Sequence, residues 1–154
     1  MIQSAERPAA QSNKTGRQQA LSRPDACAVT RTSCATVRRA LPIVLSCAGQ
    51  AAQDLKNGMA WSDNLSRFET LSMNQAQILA SLPVRRDDAK FGLLVRQASF
   101  AYIAFREMVR RDIIGGVHED IDDAEIETTL RAVEDRATLA SARLQALETA
   151  LTEG

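Results

Sequence analysis

Aromatic residues are scarce in this chain of 154 residues: they make up 4% of it, and none precedes Trp61. Histidine is scarcer still, since His118 is the only one, and the three cysteines Cys27, Cys34 and Cys47 lie far from it. A structural zinc site needs about four ligands, usually cysteine and histidine. This composition therefore argues against a metal site, and no motif calls for a cofactor.

The cysteines also bear on the compartment. Three cysteines at irregular spacing do not make a disulfide framework, so we expect reduced thiols and a cytoplasmic protein. No apolar run approaches the roughly 20 residues that a membrane-spanning helix needs.

The stretch VRRALPIVLSCAG around Cys47 raises an alternative, because arginines precede an apolar run that ends beside a cysteine, as at a lipoprotein cleavage site. The run from 40 to 45 is shorter than the usual 7–15 residues and begins far into the chain. The first thirty-odd residues are also rich in Arg, Ser and Ala, as in transit peptides. An exported or organelle-targeted helical protein with a cleaved N-terminal segment therefore stays an alternative.

Helical spacing favours a different interpretation of the same stretch. Pro42 suits the first turn of a helix, where its missing N–H costs nothing, and Gly58 suits the end of that helix. One face would then carry apolar residues at steps of three and four: Val44, Cys47, Ala51 and Leu55. On this interpretation Cys47 is a small core residue, and the folded domain covers 40–153.

Residues 1–36 show no sustained periodicity and contain no aromatic residue. Residues 1–60 hold eight basic and three acidic side chains. A segment so poor in apolar surface cannot offset its ordering entropy. We therefore predict a disordered, basic N-terminal arm.

Three further helices are predicted. The second begins at Ser62 or Asp63 and ends before Pro83. The third runs from the acids at 87–88 to the glycines at 115–116, and its apolar stripe is the widest, which is typical of a helix at the centre of a bundle. Gly92 within it predicts a close helix crossing.

The fourth helix begins at Asp120 or Asp122, and its apolar residues recur at alternating steps of four and three, as in a coiled-coil seam. They are Ile126, Leu130, Val133, Ala137, Ala140, Leu144, Leu147 and Leu151. The acids near its C-terminal end oppose the helix dipole, so that end is expected to fray unless a partner holds it. The fold class predicted is all-α: a four-helix, mostly antiparallel bundle with a long C-terminal coiled-coil-like helix.

No catalytic constellation emerges. Cys47 and His118 could form a nucleophile and base, but Cys47 fits an apolar face better. The acidic stretch after His118 fails the calcium-loop pattern, since its sixth position from Asp120 is Glu125 instead of glycine. We therefore predict a protein that is not an enzyme.

The predicted function is a protein–protein interaction or regulatory module that binds a partner, or a second copy as a homodimer, through the C-terminal heptad. The contact residues would be Leu130, Val133, Leu144, Leu147 and Leu151, with Arg143 and Glu148 setting specificity. The same seam could instead close a monomeric bundle.

A nucleic-acid-associated protein is the other alternative. The basic arm would supply phosphate contacts from Arg17, Arg23, Arg31, Arg38 and Arg39. The lack of aromatic residues for base stacking makes nucleic acid an unlikely partner on sequence grounds.

Overall fold

A computed structural model describes residues 21–59, 62–116 and 121–153, and these residues form helices and connections with no strand. The α-helices are α1 (Arg23–Lys56), α2 (Asp63–Ala80), α3 (Gly92–Met108) and α4 (Asp123–Glu153), and a π-helical turn, Val109–Ile114, continues α3. The prediction of an all-α, four-helix bundle is confirmed.

Each helix runs antiparallel to the next along the chain. Lys56 at the end of α1 pairs with Asp123 at the start of α4, while Arg38 of α1 reaches Glu148 near the end of α4. Helix α1 packs extensively on α2 and α4, and α3 packs on α4. Contacts between α2 and α3 are much sparser, so one corner of the bundle is loosely packed.

The first helix begins far earlier than its sequence suggests. Ser22 caps it, accepting a hydrogen bond from the backbone N–H of Asp25 at 3.2 Å, and Pro24 follows in the first turn, where proline is tolerated. Disorder over 1–36 is therefore corrected for residues 23–36, which are helical; residues 1–20 lie outside the described part. Pro42 is exposed in the helix interior and does not mark its start.

Burial explains why this half of α1 is ordered. Its inward side chains recur at steps of three and four: Cys27, Thr30, Cys34, Val37, Leu41 and Val44. All are at most 9% exposed. The seam is hard to recognise in the sequence because cysteine and threonine occupy positions where leucine or isoleucine is expected.

The heptad register of α4 is confirmed at seven of its eight positions, which are buried, while Leu130 is half-buried. The C-terminal end, which the sequence predicts to fray unless a partner holds it, is held by the protein's own first helix. Leu151 is 3% exposed because the N-terminal half of α1, a helix of 34 residues, extends alongside the 31 residues of α4.

The helix starts are determined by side-chain caps. Ser62 caps α2, with its Oγ 3.1 Å from the N–H of Leu65, as predicted. Asp122 caps α4 by accepting the N–H of Glu125 at 2.8 Å, and the Glu125 carboxylate lies 3.5 Å from the N–H of Asp122, which makes a capping box. The other caps considered, Asp63 and Asp120, are respectively the first residue of α2 and outside the described part.

The third helix starts later than predicted, since the acids at 87–88 belong to the connection before it. Gly92 is its first residue and lies against the backbone of Arg86, not at a helix crossing.

Cys47 is a core residue, as predicted, with 4% of its surface exposed. All three cysteines are buried and free. Cleavage next to Cys47 would divide α1 and remove the six inward side chains from Cys27 to Val44. Within the described ranges, no helix combines the length and apolar character needed to cross a bilayer.

Candidate interaction surface

Of the five heptad side chains proposed for partner contact, four lie inside the protein's own core, and Leu130 is half-buried. Val133, Leu144 and Leu147 are fully buried and Leu151 nearly so, because α4 packs between α1 and α3. In this fold they are not available to a second chain. The seam closes the bundle, which is the alternative that its sequence left open.

The two charged residues expected to set specificity have different roles. Glu148 accepts hydrogen bonds from Nε and Nη2 of Arg38 at 2.6 and 2.9 Å, in a half-buried pair that joins α4 to α1. Arg143 is exposed and contacts the side-chain oxygen of Gln97 on α3 at 3.4 Å. Arg143 and Glu148 therefore face different helices and do not form one specificity site.

The arginines of the nucleic-acid alternative do not form one free basic surface. Arg17 lies outside the described part, and Arg38 is paired with Glu148. Arg23 forms a two-pronged contact with Asp88 and stands over the ring of Phe91. That leaves Arg31, which is half-buried, and Arg39, which is exposed, on α1.

A different surface stands out, on the solvent-facing side of α3. Leu93, Phe100 and Ile103 are 58%, 57% and 43% exposed, although all three are large and apolar. Their spacing of seven and three residues puts them on one face of the helix. Arg96 and Glu107 lie on that same face at the same helical spacing. We call these five positions the outer face of α3.

The rims of the outer face are also partly apolar. On the α4 side, Arg143 contacts Gln97, so in an antiparallel pair Leu139, one turn from Arg143 and 42% exposed, lies one turn further along α3. On the α2 side, the guanidinium of Arg86 stands 5.7 Å from the centre of the Phe100 ring.

The sequence does not single out this surface, because the broad apolar stripe of α3 predicts one central face. Its buried side carries Val95, Ala98, Tyr102 and Phe105, with the last two rings meeting edge to face at 5.8 Å. Its opposite side carries the outer face. The expectation that α3 lies at the centre of the bundle is wrong, since α2 covers so little of it. The signal for a second apolar face was that apolar residues occur around nearly the whole circumference of α3.

Between α2 and α3 the contacts are partly polar. Arg106, 9% exposed, donates to the hydroxyl of Ser72 at 2.8 Å and to Glu69 at 3.2 Å. Behind this pair, the hydroxyls of Ser99 and Tyr102 are buried without a hydrogen-bond partner among the described residues. Both line a cavity of about 30 Å³, which is large enough to hold a water molecule. Burial raises the pKa of Tyr102.

A larger cleft of about 390 Å³ lies where α2 meets the start of α3. Its titratable lining consists of Arg85, Arg86 and Asp87. Nowhere in the described ranges do three histidine, cysteine or acidic side chains gather in a metal-binding arrangement. Of the nucleophile and base pair considered from sequence, Cys47 is buried and His118 lies outside the described part.

Comparison with known proteins gives no match: no family model, no curated protein and no solved structure is similar to this chain.

Proposed function

We propose that this protein is a non-enzymatic protein–protein interaction module whose binding surface is the outer face of α3. The observation that supports the proposal is the exposure of Leu93, Phe100 and Ile103 along a single helix face. Single exposed apolar residues are common on protein surfaces, but a row of them on one element is typical of a binding site.

The sparse packing between α2 and α3 supports the same surface, because it leaves the outer face of α3 uncovered. The four-helix core is already complete without the outer face, since the large side chains on the opposite side of α3 are fully buried. The outer-face residues therefore contribute little to folding, and their apolar character has to be explained by another contact. Phe100 is the natural anchor, because buried aromatic side chains dominate the energy of interfaces.

This proposal moves the interaction away from the C-terminal heptad. A partner that bound Val133 or Leu147 would have to displace α1 or α3, whereas a partner on the outer face leaves the bundle intact. The cytosolic location is part of the proposal, supported by three thiols that are free in the fold.

Site-specific photocrosslinking tests the proposal. A benzophenone amino acid placed at Phe100 in the full chain, expressed in its own cell, is expected to give a covalent adduct with a defined protein. The same group at Gln145, exposed on α4, is the matched control and should give none. Absence of any adduct from Phe100, and from the same group placed at Leu93 and at Ile103, would refute an interaction function for this face.

A further inference from the structure

We propose that the outer face of α3 binds a second copy of this chain, with the two α3 helices antiparallel about a twofold axis. This inference depends on the proposed function and names the partner of that surface.

The arrangement of the outer face is self-complementary. A twofold axis that passes between Phe100 and Ile103 brings Phe100 of one copy against Ile103 of the other. It also brings Arg96 of one copy against Glu107 of the other, because both pairs are centred on the same point of the helix. An isologous interface requires this relation, in which residue i contacts j and j contacts i.

The spacing fits two helices that pack along their length. Leu93, Phe100 and Glu107 recur every seven residues, and Arg96 and Ile103 follow the first two by three. This is the heptad pattern in which helices pack with knobs into holes. Phe100 and Ile103 lie at the centre, and the two ion pairs flank them roughly 16 Å apart at 1.5 Å per residue. Leu93 lies beyond each ion pair, opposite Arg110 of the other copy.

Charge disfavours the parallel arrangement. With the helices parallel and in register, Arg96 would face Arg96 and Glu107 would face Glu107, which is unfavourable. A one-turn shift of the antiparallel pair would separate Phe100 from Ile103 and leave both charges unmatched. The charges therefore specify direction and register, while the apolar centre supplies the affinity.

The flanking residues allow this approach. Ala104 is small and half-buried beside Phe100, so a second helix can come close on the α4 side. Arg96 donates to the backbone carbonyl of Arg86, which orients the guanidinium and leaves its other N–H groups for a carboxylate. Glu107 lies 3.4 Å from Arg110 of its own chain and keeps a second oxygen for Arg96 of the other copy.

One helix from each copy makes a small interface, below about 1,200 Å² in total, as in transient complexes. We therefore expect a dissociation constant in the micromolar range. Sedimentation velocity of the full chain between about 1 µM and about 500 µM spans that range. The expected result is a shift from monomer to dimer with increasing concentration.

Phe100→Asp is the disrupting variant and is expected to weaken dimerisation at least 100-fold. Its matched control is Ile43→Asp, since Ile43 is 54% exposed on the outside of α1. Both variants should keep the circular dichroism of the wild type. Equal dimerisation of the two variants would overturn the proposal.

Charge reversal tests the direction. Arg96→Glu alone and Glu107→Arg alone each place like charges together in both symmetric pairs, and each should weaken dimerisation about tenfold. An equimolar mixture of the two variants restores both ion pairs and should dimerise like the wild type, as should the double variant. If the single variants dimerise as well as the wild type, the antiparallel register is wrong.

The two proposals fail separately. A crosslink at position 100 with the mass of two chains supports both proposals. A crosslink to a different protein, together with a monomer at all concentrations, supports the interaction function and overturns the homodimer. An adduct within a single chain overturns both, because the chain would then cover its own outer face.

Discussion

Replacing glycine by alanine is expected to have opposite effects on stability at Gly92 and at Gly49, because the surroundings of the two residues differ. A Cβ at Gly92 would fall against the carbonyl oxygen of Arg86, far inside van der Waals contact and against backbone that cannot easily move. Gly49, inside α1, has nothing within 4 Å of the corresponding position. Glycine itself weakens a helix interior relative to alanine.

Gly92→Ala is therefore expected to lower the free energy of unfolding by about 1–3 kcal/mol, as overpacking does. Gly49→Ala is expected to raise it by up to about 1 kcal/mol, since it removes backbone freedom from the unfolded chain and meets no clash. Urea denaturation of both variants measures the difference. A neutral Gly92→Ala would mean that the 85–91 connection does not approach the start of α3 closely.

The hydroxyl of Thr30 joins the early part of α1 to the rest of the fold. Its Oγ1 accepts the backbone N–H of Val84 at 3.0 Å in a buried contact, and this joins the early part of α1 to the connection after α2. The sequence places Thr30 in a disordered arm, where such a contact would not exist.

Thr30→Val keeps the shape of the side chain but leaves that N–H unsatisfied. We expect a loss of about 1–3 kcal/mol in the free energy of unfolding. Thr32→Val, at an exposed position of the same helix, is the control and should stay within about 0.5 kcal/mol of the wild type. Equal stability of both variants would indicate that the contact of Thr30 is not formed, as the prediction of a disordered arm implies.

The start of α3 depends on a second contact with the early part of α1. The Asp88 carboxylate accepts Arg23 and also the backbone N–H groups of Lys90 and Phe91, at 3.0 and 2.8 Å. The Arg23 guanidinium, followed by the Phe91 N–H, holds the pKa of Asp88 well below its usual range. A carboxyl whose pKa is lowered on folding stabilises the fold above its unfolded pKa, and this contribution is lost as the pH falls through the folded pKa.

Asp88→Asn should accordingly be less stable than the wild type at neutral pH. The difference in stability between the wild type and Asp88→Asn is expected to be complete above about pH 5. It should narrow below about pH 4, where the carboxyl of the unfolded chain becomes protonated. Thermal melts across pH 2–7 measure it, with Asp87→Asn as a control for the loss of one negative charge. A gap that does not change with pH would show that Asp88 acts through its geometry alone.

At the level of helices, the elements with regular periodicity and recognisable caps are the ones that the sequence predicts. The register of α4, the caps Ser62 and Asp122 and the burial of Cys47 all come from such signals. The early half of α1 could not be predicted in the same way, because Cys27, Thr30 and Cys34 occupy its seam and its surroundings are polar. The early half of α1 is also the element that covers the C-terminal heptad of α4. Because the sequence does not predict that half helix, the heptad is predicted to be an exposed interface although it is part of the core.

Thiol reactivity reports on the packing of the whole bundle. Cys27, Cys34 and Cys47 are buried along α1 at 9%, 0% and 4% exposure. Burial, with a smaller effect of Glu148, raises the pKa of Cys34 to about 12. At pH 8 a thiol of that pKa is ionised in only about one molecule in ten thousand, whereas an ordinary thiol is ionised in roughly a quarter.

We expect native protein at pH 8 to react slowly with a disulfide reagent, and mild denaturant to accelerate all three thiols together, since the thiolate is the reactive form. Mass spectrometry of labelled peptides assigns each site. Rapid labelling of Cys27 and Cys34 with protection of Cys47 would indicate that only the later half of α1 is packed.

The molecule as a whole is a closed core with one apolar helix face left over, and its thermal stability should show whether that face is used. A second copy that binds only folded protein stabilises it by mass action, so the midpoint of unfolding becomes concentration-dependent. For a chain of this size the midpoint shifts by about 2–4 °C for each kcal/mol. The unfolding midpoint of the wild type should rise by a few degrees between dilute and concentrated solution.

Phe100→Asp should melt at one temperature at every concentration and match the dilute wild type, because an exposed ring contributes little to the core. If Phe100→Asp instead melts several degrees lower at every concentration, the ring belongs to the fold and the outer face is not free to bind.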